Sequence, residues 1–314
     1  MLKTPVLFLI FNRPDVTALI FEKIKKQKPK YLYIAGDGPR NNREGEAELC
    51  EQTRKIATNI DWDCEVKTLF REKNLGCKVA VSSAITWFFQ NVEEGIILED
   101  DCLPHPSFFG FCEAMLEKYR DNEQIMHIAG DTQLADNMTD DSYYFSHIPH
   151  IWGWASWKRA WKDYDVEMKD FSKFLKKQKI KNVFENKYHQ KDWLNILNKV
   201  YKNEIDTWDY QWCYTVFKKE GLAIIPNKNL ISNIGFGENS THTSEASTFS
   251  DKTLSPMDDS LKHPKAVSIN KDIQHRALNE RFNMPDKFSV DRHYWLKILI
   301  RETKRALYKA GINI

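Results

Sequence analysis

The chemistry of this chain concentrates where charge interrupts an apolar run. In Gly95-Ile96-Ile97-Leu98-Glu99-Asp100-Asp101, four uncharged residues are followed by three adjacent carboxylates. Two readings compete for them: a solvated acidic turn after a strand, or a cation site. Packed like charges raise one another's proton affinity unless a cation or hydrogen-bond donors intervene. Hard oxygen donors with no histidine or cysteine cluster nearby favour Mg2+ or Mn2+. An ion held by one or two carboxylates completes its shell with water and substrate phosphates. The cation reading therefore predicts a phosphorylated ligand.

Other residues carry their own alternatives. Asp209, in Thr207-Trp208-Asp209-Tyr210-Gln211-Trp212, stands among three aromatics. Such a setting raises a carboxylate's basicity and suits a general base, but the same residue can simply open a helix over Tyr210 to Phe217. Asp37 lies between Gly36 and Gly38 and is either a turn residue or a ligand acceptor. Arg13 has forked donors that match phosphate oxygens, or it forms a surface ion pair. Ile151-Trp152-Gly153-Trp154-Ala155-Ser156-Trp157 reads as a tryptophan-rich turn, in which Gly153 lets backbone approach a ligand beside Trp152 or Trp154; the competing reading is core packing. His242 follows Gly235 and Gly237 in a loop.

The elements that must position these groups follow from periodicity. Val6 to Phe11 reads as a strand, Val16, Leu19, Ile20 and Ile24 recur at helical spacing, and Tyr31 to Ala35 is a second strand. A helix from about Glu44 to Ile60, a strand over Glu65 to Phe70 and a helix over Gly76 to Gln90 lead to the strand ending in the carboxylates. Ser107 can cap a helix running to about Tyr119, and Ile125 to Ala129 is a further strand. Alternation of this kind builds a mainly parallel sheet whose ligands sit at the carboxyl ends of strands. The second half is less regular, with a polar, mobile-looking segment from Glu238 to Ser260 and no internal repeat.

Composition sets the outer bounds. The chain has 314 residues, 42% of them hydrophobic, enough for one large α/β domain or two smaller ones. Its 46 basic and 44 acidic residues leave a net charge of +2, which gives no reason to expect nucleic acid as a partner. Six scattered cysteines without metal-type spacing suggest thiols in a reducing compartment. The apolar run at Pro5 to Phe11 is too short for a membrane span and reads as a strand without an export signal, so a cytoplasmic location is expected.

The run Ile96 to Asp101, followed by Pro104 and Phe108-Phe109, resembles the EDD form of the metal-binding motif of GT-A glycosyltransferases, notably the N-acetylglucosaminyltransferase I family and bacterial hemolysin-like sugar transferases. Phe11-Asn12-Arg13-Pro14, Gly36-Asp37-Gly38 and Arg71-Glu72-Lys73-Asn74-Leu75-Gly76 agree in order, over roughly residues 5 to 245. The resemblance implies a Rossmann-like GT-A mixed sheet, mainly parallel and flanked by helices. It also implies a nucleotide-diphospho-sugar donor and an Mn2+ or Mg2+ cofactor. Asp101 would be the metal ligand, joined by a C-terminal histidine, for which His242 is the candidate. Glu99 and Asp100 would face the ribose or donor sugar and the metal's waters. Asp37 would accept from the nucleotide base, and Arg13, with Phe11, Asn12, Arg71, Asn74 and Gly76, would complete the nucleotide-sugar site. The tryptophan loop and Trp208 would line the donor or acceptor sugar, and Asp209 would be the catalytic base of an inverting hexosyl- or N-acetylhexosaminyltransferase.

Residues 1–130 are then the nucleotide-sugar half, 131–260 the aromatic-rich acceptor half of the same domain, and 261–314 a tail. As a helix, the stretch from Arg292 sets Lys297, Arg301, Lys304 and Arg305 opposite Trp295, Leu296 and Leu299. That face either docks on the protein or touches an anionic membrane surface, which would suit a lipid-linked saccharide acceptor as well as a soluble glycan. The alternatives are a sugar nucleotidyltransferase, which would normally carry a glycine-rich phosphate loop where Phe11-Asn12-Arg13-Pro14-Asp15 stands, and an inactive binding protein of the same fold.

Overall fold

Short apolar strands and amphipathic helices alternate through the first half, as predicted. The computed structural model describes residues 1–235 and 252–282. The order is β1 (Val6–Ile10), α1 (Pro14–Gln27), β2 (Tyr31–Gly36), α2 (Glu46–Ala57), β3 (Glu65–Phe70), α3 (Gly76–Asn91) and β4 (Glu94–Glu99). Pro14 opens α1 where a missing N–H costs nothing, and Lys25 and Lys26 close it where cations offset the helix dipole. The buried stripe of α1 is Thr17, Ile20, Phe21 and Ile24, whereas Leu19, expected inside, is 56% exposed.

After β4 come β5 (Cys102–Pro104), α4 (Ser107–Lys118), β6 (Ile125–Ala129), β7 (Tyr143–Ser146) and β8 (Trp154–Trp157). Helices α5 (Lys158–Trp161), α6 (Phe171–Lys176), α7 (Ile180–Val183), α8 (Lys187–Tyr201) and α9 (Asp209–Lys219) lead to β9 (Leu222–Pro226) and β10 (Ile231–Asn233). Ser107 is the first residue of α4 rather than its cap; its hydroxyl bonds the His105 ring and the Met257 N–H instead.

The large sheet has the order β3-β2-β1-β4-β8-β6-β9-β7. Strands β1 to β4 are parallel, as are β6 and β9. β8 runs antiparallel to both β4 and β6, and β7 is antiparallel to β9. The expected mixed, mainly parallel α/β sheet flanked by helices is thus the fold. Val6, Phe8 and Ile10 face one core layer, with Phe21, Leu98 and Phe108. Leu7 and Leu9 face the other, with Tyr33, Phe88, Ile97, Trp154 and Trp212.

The tryptophan segment departs from expectation. The chain bends only at Trp152-Gly153; Trp154–Trp157 forms the strand β8, buried at every position. Gly153, at φ +59°, has Leu98 and Ile231 packed where its side chain would be, so the glycine answers a demand of the core. A short pair, β5 with β10, forms a second, antiparallel sheet.

Contacts divide the chain into Met1–Asn270 and Lys271–Ile314. The first unit holds every strand described, including the bridge that joins Ile269 to Phe145. The second contributes α10 (Lys271–Arg281). The basic face from Arg292 onward lies outside the described residues. Among the described residues no helix is long and apolar enough to cross a membrane.

Candidate functional site

From β1 the chain moves outward to β2 and β3, then returns to lay β4 on the other side of β1. The carboxyl ends of two such parallel strands open a crevice at the point where strand order reverses, and ligands bind there. Here β1 delivers Phe11, Asn12 and Arg13, and β4 delivers Glu99, Asp100 and Asp101. The sheet brings together motifs that lie far apart in the sequence.

The three carboxylates differ in role because they differ in direction. Asp100 points inward and is 2% exposed. It accepts from the Phe11 N–H at 3.2 Å, lies 3.5 Å from the Thr17 hydroxyl and is paired with Arg13 Nη2. Its oxygens are occupied by the protein, which leaves little for the ribose or sugar contact expected of it. Asp101 is partly open and takes Arg13 Nη1 at 3.0 Å. Burial alone would weaken the Arg13 guanidinium's hold on its proton, but Asp100 and Asp101 overcome that and raise its pKa. Burial, then the like charges of Asp101 and Asp100, push Glu99 up to about 8, with Asp209 adding to the effect.

The short second sheet frames Asp101. Pairing of β5 with β10 carries the chain past it, so that the Ile234 N–H reaches the Asp101 carbonyl at 2.9 Å. A side chain at Gly235 would run into the Asp101 carboxylate. His242 lies outside the described residues.

The other predicted nucleotide residues form one stitched floor. Asp37 accepts from the backbone N–H groups of Gly38 at 2.9 Å, Leu75 at 3.0 Å and Gly76 at 3.1 Å. It therefore ties the loop after β2 to the start of α3, doing for Gly76 what a capping side chain does from within a helix. Asn74 Nδ2 donates to the Gly38 carbonyl at 2.8 Å, and Arg71 Nη2 to Ser83 at 2.6 Å. Arg54, which the sequence did not single out, bonds the carbonyls of Asp37 and Arg71. Asn12 Nδ2 donates at 2.9 Å to Glu46, a buried acid clasped by Arg40, whose guanidinium lies over the Phe11 ring. Nothing local marks Glu46, since its partner Asn12 belongs to another loop.

Asp209 stands at the first position of α9, so its structural reading holds. It also meets the site: its charge is felt by Glu99, Cys77 and Tyr164. The Thr207 hydroxyl donates to it. Asp206, three residues earlier and unremarked in the sequence, lies beside Gly76 and also acts on Cys77. The flanking aromatics do not line a cavity as expected. Trp154, Trp208 and Trp212 are buried against one another, with ring centroids 5.9 Å apart for both Trp154 pairs. Trp152 keeps a partly exposed surface, and of the tryptophans expected at the sugar it alone does.

Among the described residues no group of three histidine, cysteine, aspartate or glutamate side chains converges to hold a metal unaided. Asp101, with Glu99 beside it, fits an ion that leaves most of its shell to phosphate and water. Asp100 does not fit, because its oxygens are already taken.

No protein-family model and no curated protein matches the sequence. Partial likenesses exist among solved structures. One is HddC from Yersinia pseudotuberculosis, with 12% identity over 51% of this chain and 80% of that one and a TM-score of 0.31. Another is a cytidylyltransferase from Leptospira borgpetersenii, with 12% identity over 52% and 64% of the two chains and a TM-score of 0.33. A third is a UDP-glucose pyrophosphorylase complexed with UDP-glucose, with 14% identity over 46% and 62% and a TM-score of 0.26. The chain thus spans less than two thirds of the cytidylyltransferase and of the pyrophosphorylase. Likenesses this partial carry no functional argument, and the reading below rests on the site.

Proposed function

We propose that the chain is a transferase of nucleotide-diphospho-sugars that moves the sugar to a hydroxyl of a glycan or lipid-linked saccharide, with inversion. The supporting observation is that α9 opens with Asp209, whose charge reaches Glu99 at the end of β4. An in-line displacement needs a group that accepts the hydroxyl proton on one side and charge stabilisation for the departing diphosphate on the other. Asp209 takes the first role. For the second, Mn2+ or Mg2+, held by Asp101 with Glu99 beside it, would neutralise charge on the phosphates. Phe11, Asn12 and Arg13 border the same end, and partly exposed Trp152 is the remaining aromatic for the sugar. A peripheral attachment at an anionic membrane surface through the tail belongs to the same reading, with a cytoplasmic site of action.

The second reading is sugar nucleotidyl transfer. It would use the same acidic end, because a phosphate-bound ion serves either reaction. Against it stands the connection from β1 to α1. That link is only Phe11-Asn12-Arg13, contains no glycine, and spends the Phe11 N–H on Asp100, so it offers a triphosphate no backbone cradle. One experiment separates the readings. The protein is incubated with Mn2+ and either a panel of nucleotide sugars, with saccharide acceptors or water to take the sugar, or nucleoside triphosphates plus sugar 1-phosphates. Release of nucleoside diphosphate supports glycosyl transfer, release of pyrophosphate supports nucleotidyl transfer, and binding without either product marks a non-catalytic protein.

A further inference from the structure

The guanidinium of Arg13 lies where a cation is wanted. Its two terminal nitrogens divide between Asp100 Oδ1 and Asp101 Oδ2, and its side chain is only 20% exposed. The two contacts are not equivalent. Asp100 is anchored on its other side by Phe11 and Thr17 and cannot turn away. Among the described residues, the Asp101 carboxylate meets only the Cys102 thiol, at 3.5 Å, besides Arg13, and its side chain is 16% exposed. The carboxylate best placed to bind a divalent ion is therefore already neutralised through one of its two oxygens, Oδ2. A guanidinium and a divalent ion on one carboxylate repel each other.

We infer that Arg13 is the resident counter-cation of Asp101, displaced when a divalent ion binds there, and that the displaced guanidinium passes to the diphosphate of the donor in the same crevice. This rests on the nucleotide-sugar reading above for the identity of the diphosphate. Arg13 is suited to both positions, because its forked donors match carboxylate and phosphate alike. Its tether keeps it at the end of β1, within the crevice, after it leaves Asp101. The consequence is coupling: the ion alone strips Nη1 of its partner and leaves Arg13 only Asp100, whereas ion and diphosphate together give that nitrogen a new partner. Each ligand then raises the affinity of the other by the same factor.

The test is Mn2+ binding, read from loss of the free-ion paramagnetic resonance signal, with and without a nucleoside diphosphate. The wild-type protein should bind Mn2+ weakly alone and at least tenfold more tightly with the diphosphate. Arg13→Gln should bind Mn2+ alone at least tenfold more tightly than wild type, and the enhancement by diphosphate should shrink. Because Arg13→Gln leaves Asp100 buried and unpaired, the double variant R13Q/D100N provides a folded background in which Asp101 is unchanged. A merely structural role for Arg13 would lower Mn2+ affinity in both variants, and that result, or unchanged affinity, overturns the inference. A gain in Mn2+ affinity with no nucleoside diphosphate bound would uphold displacement at Asp101 while removing the donor reading.

Discussion

Asp100 and Asp101 are chemically identical neighbours, yet the structure predicts opposite consequences for their loss. Asp100→Ala removes the inward partner of Arg13, the acceptor of the Phe11 N–H and the neighbour of the Thr17 hydroxyl in one step. Removing one member of a buried ion pair costs about 3–5 kcal/mol, mostly because the other charge stays buried. Arg13 keeps Asp101 at 3.0 Å and some contact with water, so the lower end, about 3 kcal/mol, is expected. At about 2–4 °C per kcal/mol for a domain of this size, the melting temperature should fall by about 6–12 °C. Asp101→Ala leaves the Asp100 pair intact and removes a partly exposed group, so its cost should be about 1 kcal/mol or less. Its effect should appear in ligand binding: a nucleotide sugar with Mn2+ should raise the melting temperature of the wild type and should fail to raise that of Asp101→Ala. Thermal melts of the three proteins, with and without ligands, measure both quantities. Equal melting temperatures for Asp100→Ala and wild type, or a larger loss for Asp101→Ala, would refute the assignment of one carboxylate to the fold and the other to the ligand.

Asp209→Asn should keep donor and Mn2+ affinity but lose about 100- to 10,000-fold in transfer rate, the usual cost of a positioned base; normal turnover, or a product with the donor's anomeric configuration, would remove Asp209 from that role. His127 predicts acid sensitivity. Its Nδ1 accepts from Trp212 Nε1 at 3.1 Å, so its proton sits on Nε2 and is donated to the His150 carbonyl at 2.7 Å. Burial pushes its pKa down to about 3, so this stability is complete above the ordinary histidine range near 6.5 and is lost as pH falls towards 3. Between pH 6.5 and 5 the loss from this group is about 2 kcal/mol. Urea titrations of wild type and His127→Gln at both pH values should differ by that amount, and parallel pH slopes would count against it. Gly235→Ala should weaken Mn2+-dependent ligand binding by displacing the chain from Asp101, and unchanged thermal shifts with ligand would contradict the close approach seen there.

Local pattern was enough wherever burial follows from short-range periodicity. The strands Val6–Ile10, Tyr31–Gly36 and Glu94–Glu99 and the helices between them were legible because apolar runs and helical spacing are properties of a few consecutive residues. The position of Glu99, Asp100 and Asp101 at a strand's carboxyl end followed from the same pattern. So did the list of candidate ligands, because carboxylates, guanidinium and aromatic rings declare their chemistry by type. The tryptophan segment was misread for a related reason: one glycine signalled a turn, while the decisive fact was that Trp154–Trp157 fills the space between β4 and β6.

What the sequence could not decide was direction and partnership. Three adjacent carboxylates are equivalent on paper; only the packing of β1 against β4 turns Asp100 inward to Arg13, leaves Asp101 at the opening and crowds Glu99 until its pKa rises to about 8. Asp37 reads equally as a turn residue or a ligand acceptor until the loop after β3 folds back and its backbone N–H groups take the carboxylate. Asp209 reads as a general base or as the opening residue of a helix, and its nearness to Glu99 becomes visible only when α9 brings its charge to bear there. Residue type and spacing determined which groups could do chemistry. Which of them remain open to a ligand was decided by partners remote in the chain, because a charge removed from water must be met by whatever the fold places beside it.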